Sequence, residues 1–234
     1  MTEALIKGVD VSSHQSPDAI VWAELAKTHR FVVVRATYGT KIDSACVEHV
    51  RRARDVGMQV GLYHFFRSSQ DAQAQLDAFA SVAEPLGMGP GWLPPSLDLE
   101  SNVSNGDPLT AAKYAPAEAV CEAWVQRWGR AILYTNVSTW AALGNPEWVR
   151  EHLLWVAHYT LARAPRTPID LPWTIWQHRV SPLPGVMAGD LDQNFAAAAL
   201  PLLADPGAPA LLPLDPDWDA VRRDRDDLIK ERDP

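Results

Sequence analysis

Two carboxylates stand one residue apart at the end of the segment WLPPSLDLE, residues 92–100. Alternate residues of a strand point to the same face, so Asp98 and Glu100 are predicted to project together while Leu97 and Leu99 face an apolar layer. Two carboxyl groups at such a spacing can cooperate on one glycosidic bond. We expect their mutual repulsion in a partly desolvated site to raise the pKa of one group and to leave the other ionised. The pair would then supply an acid and an electrostatic stabiliser.

Further carboxylates lie at the ends of other predicted strands. Asp10 closes the first strand, and Asp190 and Asp192 belong to the last. In a closed barrel the first and last strands are neighbours, so these acids are predicted to flank the same mouth as Asp98 and Glu100. An isolated D-x-E more often caps a helix or pairs with a basic side chain, but four converging carboxylates are typical of catalysis or metal binding. No H-E-x-x-H or comparable spacing indicates zinc.

Aromatic side chains also concentrate near the predicted strand ends. They are Tyr63, Tyr134, Tyr159, Trp173 and Trp176. An amphipathic ring can cover the apolar face of a sugar and donate a hydrogen bond at its edge. The alternative is that these rings only fill the barrel.

Short apolar or aromatic runs alternate with helical patterns along the chain. Predicted strands span residues 5–11, 31–37, 59–66, 95–100, 131–135, 153–159, 173–178 and 189–195. Apolar stripes at helical spacing predict helices over 43–56, 69–84 and 115–128. This alternation is typical of a parallel sheet covered by helices, and about eight strands favour closure. The predicted fold class is therefore α/β, a single irregular TIM-like β/α barrel with fewer helices in its second half.

The bulk composition narrows the possible partners. The 234 residues carry a formal net charge of −8, which argues against nucleic acid or an anionic membrane as partner. No apolar run approaches about 18 residues, so no membrane insertion is expected. Cys46 and Cys121 fall at apolar helix positions and are predicted to be core thiols rather than a disulfide.

The chain is predicted to divide into three parts. Residues 1–203 form the barrel, residues 204–216 are a Pro-rich linker, and residues 217–234 are a charged, helical C-terminal tail. A heptad seam in the tail is interrupted and gives weak support for a coiled coil. A solvated helix is the simpler interpretation.

An ordered set of motifs carries a resemblance to a known family. The motifs are GVDVSSHQ, FVVVRATYG, GLYHFF, LDLE, ILYTN, LWVAHY, IWQH and DQNF, within residues 6–198. Together they resemble the glycoside hydrolase family 25 lysozymes, the muramidases of bacterial and phage origin. The resemblance implies an irregular β/α barrel that hydrolyses the β-1,4 bond between N-acetylmuramic acid and N-acetylglucosamine of peptidoglycan. It also implies that neither a metal nor an organic cofactor takes part.

The same resemblance implies roles for individual residues. Glu100 resembles the general acid, and Asp98 resembles the residue that orients the substrate's N-acetyl group or stabilises the oxocarbenium-like transition state. Asp10 resembles a supporting carboxylate, and Asp192 resembles the last acid of the family pattern. GDLDQNF departs from the usual D-L-N ending, so Asp190 remains an alternative. The substrate-binding groove is expected to contain Tyr63, Tyr134, Tyr159 and Trp176. Substrate-assisted retention is the preferred mechanism, and direct water attack with inversion is the alternative.

The expected function is lysis of bacterial cell walls, with peptidoglycan glycan strands as the partner. The N-terminus has no signal-peptide pattern, so we expect synthesis in a host cytoplasm and action after holin release or as part of a virion. One alternative is a catalytically weak glycan-binding module of a phage particle, with the tail contacting an assembly partner. Another is a chitinase-like hydrolase, which the GVDVSSHQ opening disfavours.

Overall fold

The computed structural model describes residues 5–160, 164–197 and 199–204, and the sheet they form explains where the acids meet. Its strands are β1 Ile6–Val11, β2 Phe31–Tyr38, β3 Lys41–Ile42, β4 Gln59–Phe65, β5 Ser96–Asp98, β6 Ile132–Thr135, β7 Leu153–Ala157, β8 Ile175–Leu183 and β9 Met187–Ala196. Eight of them close a barrel in the order β1-β2-β4-β5-β6-β7-β8-β9, with β9 pairing back onto β1. β3 extends the sheet beyond β2 as a short antiparallel edge. The predicted closed barrel of eight strands is confirmed.

The expectation of an all-parallel sheet is wrong for the last strand. β9 runs antiparallel to both β8 and β1, whereas the pairs from β1 to β8 around the barrel are parallel. The cause is the short connection of residues 184–186, where Gly185 adopts a positive φ of 79°. Three residues can form a hairpin but cannot hold the crossover that a parallel pair requires. The barrel is therefore mixed.

Helices cover the first half of the barrel more completely than the second. They are α1 Trp22–Thr28, α2 Cys46–Asp55, α3 Ala72–Ala83, α4 Ala111–Tyr114, α5 Pro116–Trp128 and α6 Val137–Ala142, joined by short 3-10 turns. The three predicted helices correspond to α2, α3 and α5 with slightly shorter ends. Asp71 caps α3 by accepting a hydrogen bond from the Ala74 amide at 2.8 Å. Cys46 and Cys121 are buried free thiols, as predicted.

Apolar side chains fill the barrel interior below its mouth. Phe31, Val33, Ile132 and Ile175 form this inner cluster, separate from the larger apolar layer between the sheet and the helices. Packing is so close that a Cβ on Gly8 would lie 2.3 Å from the ring of Phe31. The polar inward-facing residues are thereby concentrated at the carboxyl ends of the parallel strands.

The predicted linker and the predicted tail, residues 217–234, lie outside the described residues except for Ala204. Within the part of the chain that is described, no helix is long and apolar enough to cross a membrane.

Candidate active site

A cleft of about 620 Å³ opens at the carboxyl ends of the parallel barrel strands. Most of the predicted site residues line it, namely Asp10, Asp98, Glu100, Asp192, Tyr63, Tyr134 and Tyr159. The fold therefore brings the acids from β1, β5 and β9 to one mouth, which is where barrel enzymes place their chemistry.

The D-x-E pair lies at the end of β5, but only Asp98 belongs to the strand. Glu100 follows in the loop, and two hydrogen bonds to Leu99 continue the extended chain between them. The Leu99 amide donates to the Tyr134 carbonyl at 2.9 Å, and the Thr135 hydroxyl donates to the Leu99 carbonyl at 2.9 Å. Leu99 is fully buried in the outer apolar layer. The predicted same-face arrangement is kept even though the strand ends early.

A third hydrogen bond fixes the backbone of Glu100 itself. The hydroxyl of Tyr114, on α4, donates to the Glu100 carbonyl oxygen at 2.9 Å. Tyr114 is 3% exposed, and its ring lies 5.8 Å from that of Phe66. The position of this loop acid therefore depends on a buried tyrosine outside the strand.

Asp10 is held by two amide side chains, one from β8 and one from β9. Its Oδ2 atom accepts hydrogen bonds from Gln177 Nε2 at 2.9 Å and from Asn194 Nδ2 at 2.7 Å. Asn194 is fixed in turn, since its Oδ1 atom accepts from Trp155 Nε1 at 2.8 Å. Two donors on one oxygen stabilise an ionised carboxylate in this buried position.

Gln177 connects this acid to the tyrosines of the cleft. Its Oε1 atom accepts a hydrogen bond from the Tyr134 hydroxyl at 2.9 Å and another from the Tyr159 hydroxyl. Tyr134 is 8% exposed, whereas Tyr159 is 57% exposed and reaches the mouth. Hydrogen bonds through Gln177 therefore connect Asp10 at the buried floor to Tyr159 at the rim.

Asp192 rather than Asp190 reaches the cleft. Asp192 is the direct partner of Asp10 in the antiparallel β1–β9 register, so the two side chains point to the same face. Asp190 is exposed, and its backbone carbonyl accepts a hydrogen bond from the Gln15 side chain. Of these two acids, Asp192 lines the cleft and Asp190 does not.

Burial raises the pKa of all four carboxyl groups in the cleft. Desolvation is the main cause for each of them, and repulsion from a neighbouring carboxylate adds to it. The pKa of Asp10 rises to about 6, limited by its two amide donors, and the pKa of Asp192 rises to about 8. The pKa of Asp98 lies well above its usual value, and that of Glu100 is also raised.

The pKa is raised for both members of the D-x-E pair, whereas the sequence predicted a raised pKa for one of them. Desolvation raises the pKa of the buried Asp98 and of the half-buried Glu100, and the Oδ1 atom of Asp98 has no hydrogen-bond partner among the described residues. In the free cleft the protonated form of each group is therefore more favoured than it would be in water. The two amide donors of Asp10 lower its pKa and so oppose the effect of burial.

One cation lies close to the acids at the mouth. Arg35, on β2, donates from Nε to Asp43 at 2.7 Å and from Nη2 to the Ser13 hydroxyl at 3.0 Å. Its charge lowers the pKa of Asp98 and so partly opposes the effect of burial. Asp43 is itself buried and paired, which holds the guanidinium in place.

Trp176 does not lie in the cleft, which corrects its predicted position. Its neighbours on β8, Ile175 and Gln177, face the barrel interior, so Trp176 faces outward. There its indole nitrogen donates to the His158 carbonyl at 2.8 Å, and its ring packs near Phe195. The tryptophan contributes to the outer core.

Sequence reasoning missed the two polar residues that hold Asp10. Gln177 and Asn194 were not singled out, although each lies two positions from a residue predicted or found to face inward, Ile175 and Asp192. Strand alternation could have found them. Within the described residues, no group of His, Cys, Asp or Glu side chains is arranged to hold a metal ion.

Comparison with known proteins gives a consistent result. The family model described as Glycosyl hydrolases family 25 matches residues 9–185. The bacterial lysozyme from Streptomyces coelicolor is 30% identical and superposes with a TM-score of 0.73, over 85% of this chain and 95% of that one.

Two further solved structures are similar. A muramidase from Acremonium alcalophilum is 27% identical with a TM-score of 0.70, over 83% of this chain and 94% of that one. The catalytic domain of endolysin ply40 from Listeria monocytogenes bacteriophage P40 shares the fold at 22% identity and a TM-score of 0.64, covering 85% and 96%. No curated protein matches the chain in a sequence comparison.

Proposed function

The chain belongs to Glycosyl hydrolases family 25 and is a lysozyme-type glycoside hydrolase that acts on peptidoglycan, and from this premise we propose that it is a muramidase. The bond cleaved is the β-1,4 linkage from N-acetylmuramic acid to N-acetylglucosamine. The observation that carries this proposal is the convergence of Asp98 and Glu100 with Asp10 and Asp192 in one cleft. Four carboxyl groups with raised pKa values are typical of a site built for acid catalysis.

Glu100 is the general acid in this mechanism. Burial and the neighbouring Asp192 raise its pKa, which favours the protonated form that donates to the glycosidic oxygen as the bond breaks. Its position at the rim, beyond the end of β5, leaves the carboxyl accessible to a glycan strand in the cleft.

Asp98 binds the acetamido group of the muramic acid. Its buried Oδ1 atom lacks a partner among the described residues, and an acetamido N–H would supply one. A hydrogen bond to the carboxylate favours its ionised form, so substrate binding lowers the raised pKa of Asp98. The acetamido oxygen, oriented in this way, attacks the anomeric carbon from the opposite face while Glu100 protonates the leaving oxygen.

Asp10, whose pKa of about 6 leaves it ionised at neutral pH, supplies negative charge on the far side of the floor, beside Asp192. Asp10 is anchored by Gln177 and Asn194 and stabilises the positive charge that develops on the sugar ring. Tyr134 and Tyr159, fixed through Gln177, present ring surface and hydroxyl groups to the sugars.

Product analysis tests both the bond and the mechanism. After digestion of purified peptidoglycan, new reducing ends on N-acetylmuramic acid would support a muramidase, whereas ends on N-acetylglucosamine would reject it. Early product with the β anomer supports substrate-assisted retention, and the α anomer supports direct water attack with inversion. Glycan binding without any cleavage would favour a non-catalytic binding module.

We further propose that the activity serves lysis of bacterial cell walls by a phage or a bacterium. The support is indirect, since the similar bacteriophage P40 endolysin domain establishes only a shared fold. Added to washed bacterial cells, the protein should lower their turbidity, and intact turbidity together with cleavage of purified peptidoglycan would argue against this role.

A further inference from the structure

One side of the cleft, above β2 and β4 and the end of β5, carries residues that the catalytic mechanism does not use. There the β2–β3 hairpin approaches the loop of residues 101–107, and both line the cleft. We name this surface the hairpin wall. Its lining residues are Tyr38, Lys41, Ile42, Asn102 and Asn105.

The hairpin wall is fixed before any substrate arrives. The side-chain amide of Asn102 donates to the Tyr38 hydroxyl at 2.7 Å and to Asp107 at 2.7 Å, which ties the loop to the hairpin. Behind them the Arg67 guanidinium lies 4.8 Å from the centre of the Tyr38 ring and pairs with Asp107, whose side chain is fully buried. A surface held in this way loses little conformational entropy when it binds a ligand.

The charge of the hairpin wall is opposite to that of the cleft floor. Lys41 is exposed, and no carboxylate of the described residues lies within ion-pair distance of it. The other cation, Arg35, is already paired with Asp43 at 2.7 Å. Beside Lys41, the apolar side chain of Ile42 is 50% exposed. The wall thus offers an unneutralised ammonium group next to an apolar contact, in a chain whose net charge is −8.

Peptidoglycan has a component of matching chemistry. Each muramic acid can carry a short peptide that contains free carboxylates and small apolar side chains. We propose that the hairpin wall binds this acidic peptide, with Lys41 contacting a carboxylate and Ile42 packing against an apolar side chain. This inference rests on the proposed function, because the peptide reaches the wall only when its glycan strand occupies the cleft.

The test compares two substrates that differ only in the peptide. They are purified peptidoglycan and the same glycan strands after an amidase has removed the peptides. The measured quantity is the selectivity, the ratio of kcat/KM on the first substrate to kcat/KM on the second. Lys41→Glu should lower this ratio about tenfold, since the charge reversal removes an exposed attraction and adds a repulsion, each worth about a few-fold. Lys27→Glu on α1 makes the same charge change outside the cleft and should leave the ratio unchanged.

Three outcomes are informative. The peptide site is supported if the ratio falls for Lys41→Glu, recovers in Lys41→Arg, and if the wild-type and Lys41→Glu ratios converge as salt rises to about 0.5 M. Equal ratios for wild type, Lys41→Glu and Lys27→Glu reject the site while the muramidase assignment stands. No cleavage of either substrate by wild type rejects the proposed function and this inference with it. Thermal melting of each variant verifies that it is folded.

Discussion

Asp10 tests the electrostatics of the cleft, because burial of its charged form destabilises the folded state. Its Oδ2 atom accepts both amide donors, from Gln177 and Asn194. In Asp10→Asn the amide oxygen can take the place of Oδ2 and accept the same two hydrogen bonds. The substitution therefore removes the buried charge while it keeps the contacts. We expect the variant to be more stable than the wild type at neutral pH and much less active.

The magnitude follows from the pKa of this group. Burial raises the pKa of Asp10 from 3.8 to about 6, and this difference corresponds to about 3 kcal/mol. Because the folded state binds the proton more tightly than the unfolded state, this part of the stability is present at low pH. It is lost as the pH rises from about 4 to about 6 and is then constant. The free energy of unfolding of Asp10→Asn does not fall in this way, because the variant has no charge to bury. Removal of the charge also relieves the repulsion between Asp10 and the carboxyl groups of Asp98 and Asp192.

Denaturation by urea at several pH values measures the effect. The free energy of unfolding of Asp10→Asn should exceed that of the wild type by about 3 kcal/mol at about pH 7 and match it near pH 3. For a chain of this size, the Tm difference at neutral pH should be about 6–12 °C. Asp77→Asn, an exposed position on α3, makes the same charge change and should show neither effect. An Asp10→Asn variant less stable than the wild type at neutral pH would refute the account of a strained, buried charge.

Three further predictions concern the support of the acids and the extent of the catalytic unit. Tyr114→Phe removes only the donor to the Glu100 carbonyl and should lower kcat about tenfold with little change in KM; an unchanged kcat would show that the contact is dispensable. Gln177→Leu removes one of the two hydrogen bonds that lower the pKa of Asp10. The limb of the pH–rate profile that reports Asp10 should therefore move up by about one pH unit, and an unmoved limb would contradict the assignment of that limb to Asp10. Deletion of residues 217–234 should leave cleavage of soluble glycan nearly unchanged, and a loss of activity or solubility would show that the tail belongs to the barrel.

The sequence predicted the parts of the fold that depend on local periodicity. Strand and helix patterns located the barrel strands and the three longest helices, and the position of Asp10 and Asp192 on neighbouring strands followed from closure. Strand direction was not predictable in the same way. The antiparallel course of β9 depends on the short turn around Gly185, which strand periodicity does not reveal.

The site was predicted through its acids and less well through their partners. Asp98 and Glu100 were found from spacing, but the raised pKa of both depends on burial that only the assembled barrel creates. Trp176 was expected in the groove, but the aromatic type of a residue does not tell which face of β8 its side chain occupies. Gln177, one position away, faces the cleft instead and connects Asp10 to the tyrosines.

The most direct test of the central claim is hydrolysis of purified peptidoglycan by Glu100→Gln, with release of reducing ends as the readout. The substitution keeps the shape of the side chain and removes its proton, and we expect the rate to fall by about 10²–10⁴-fold while the Tm stays close to that of the wild type. Glu122→Gln, an exposed position on α5, is the matched control and should retain full activity. A Glu100→Gln variant that releases reducing ends at nearly the wild-type rate would contradict the assignment of Glu100 as the general acid.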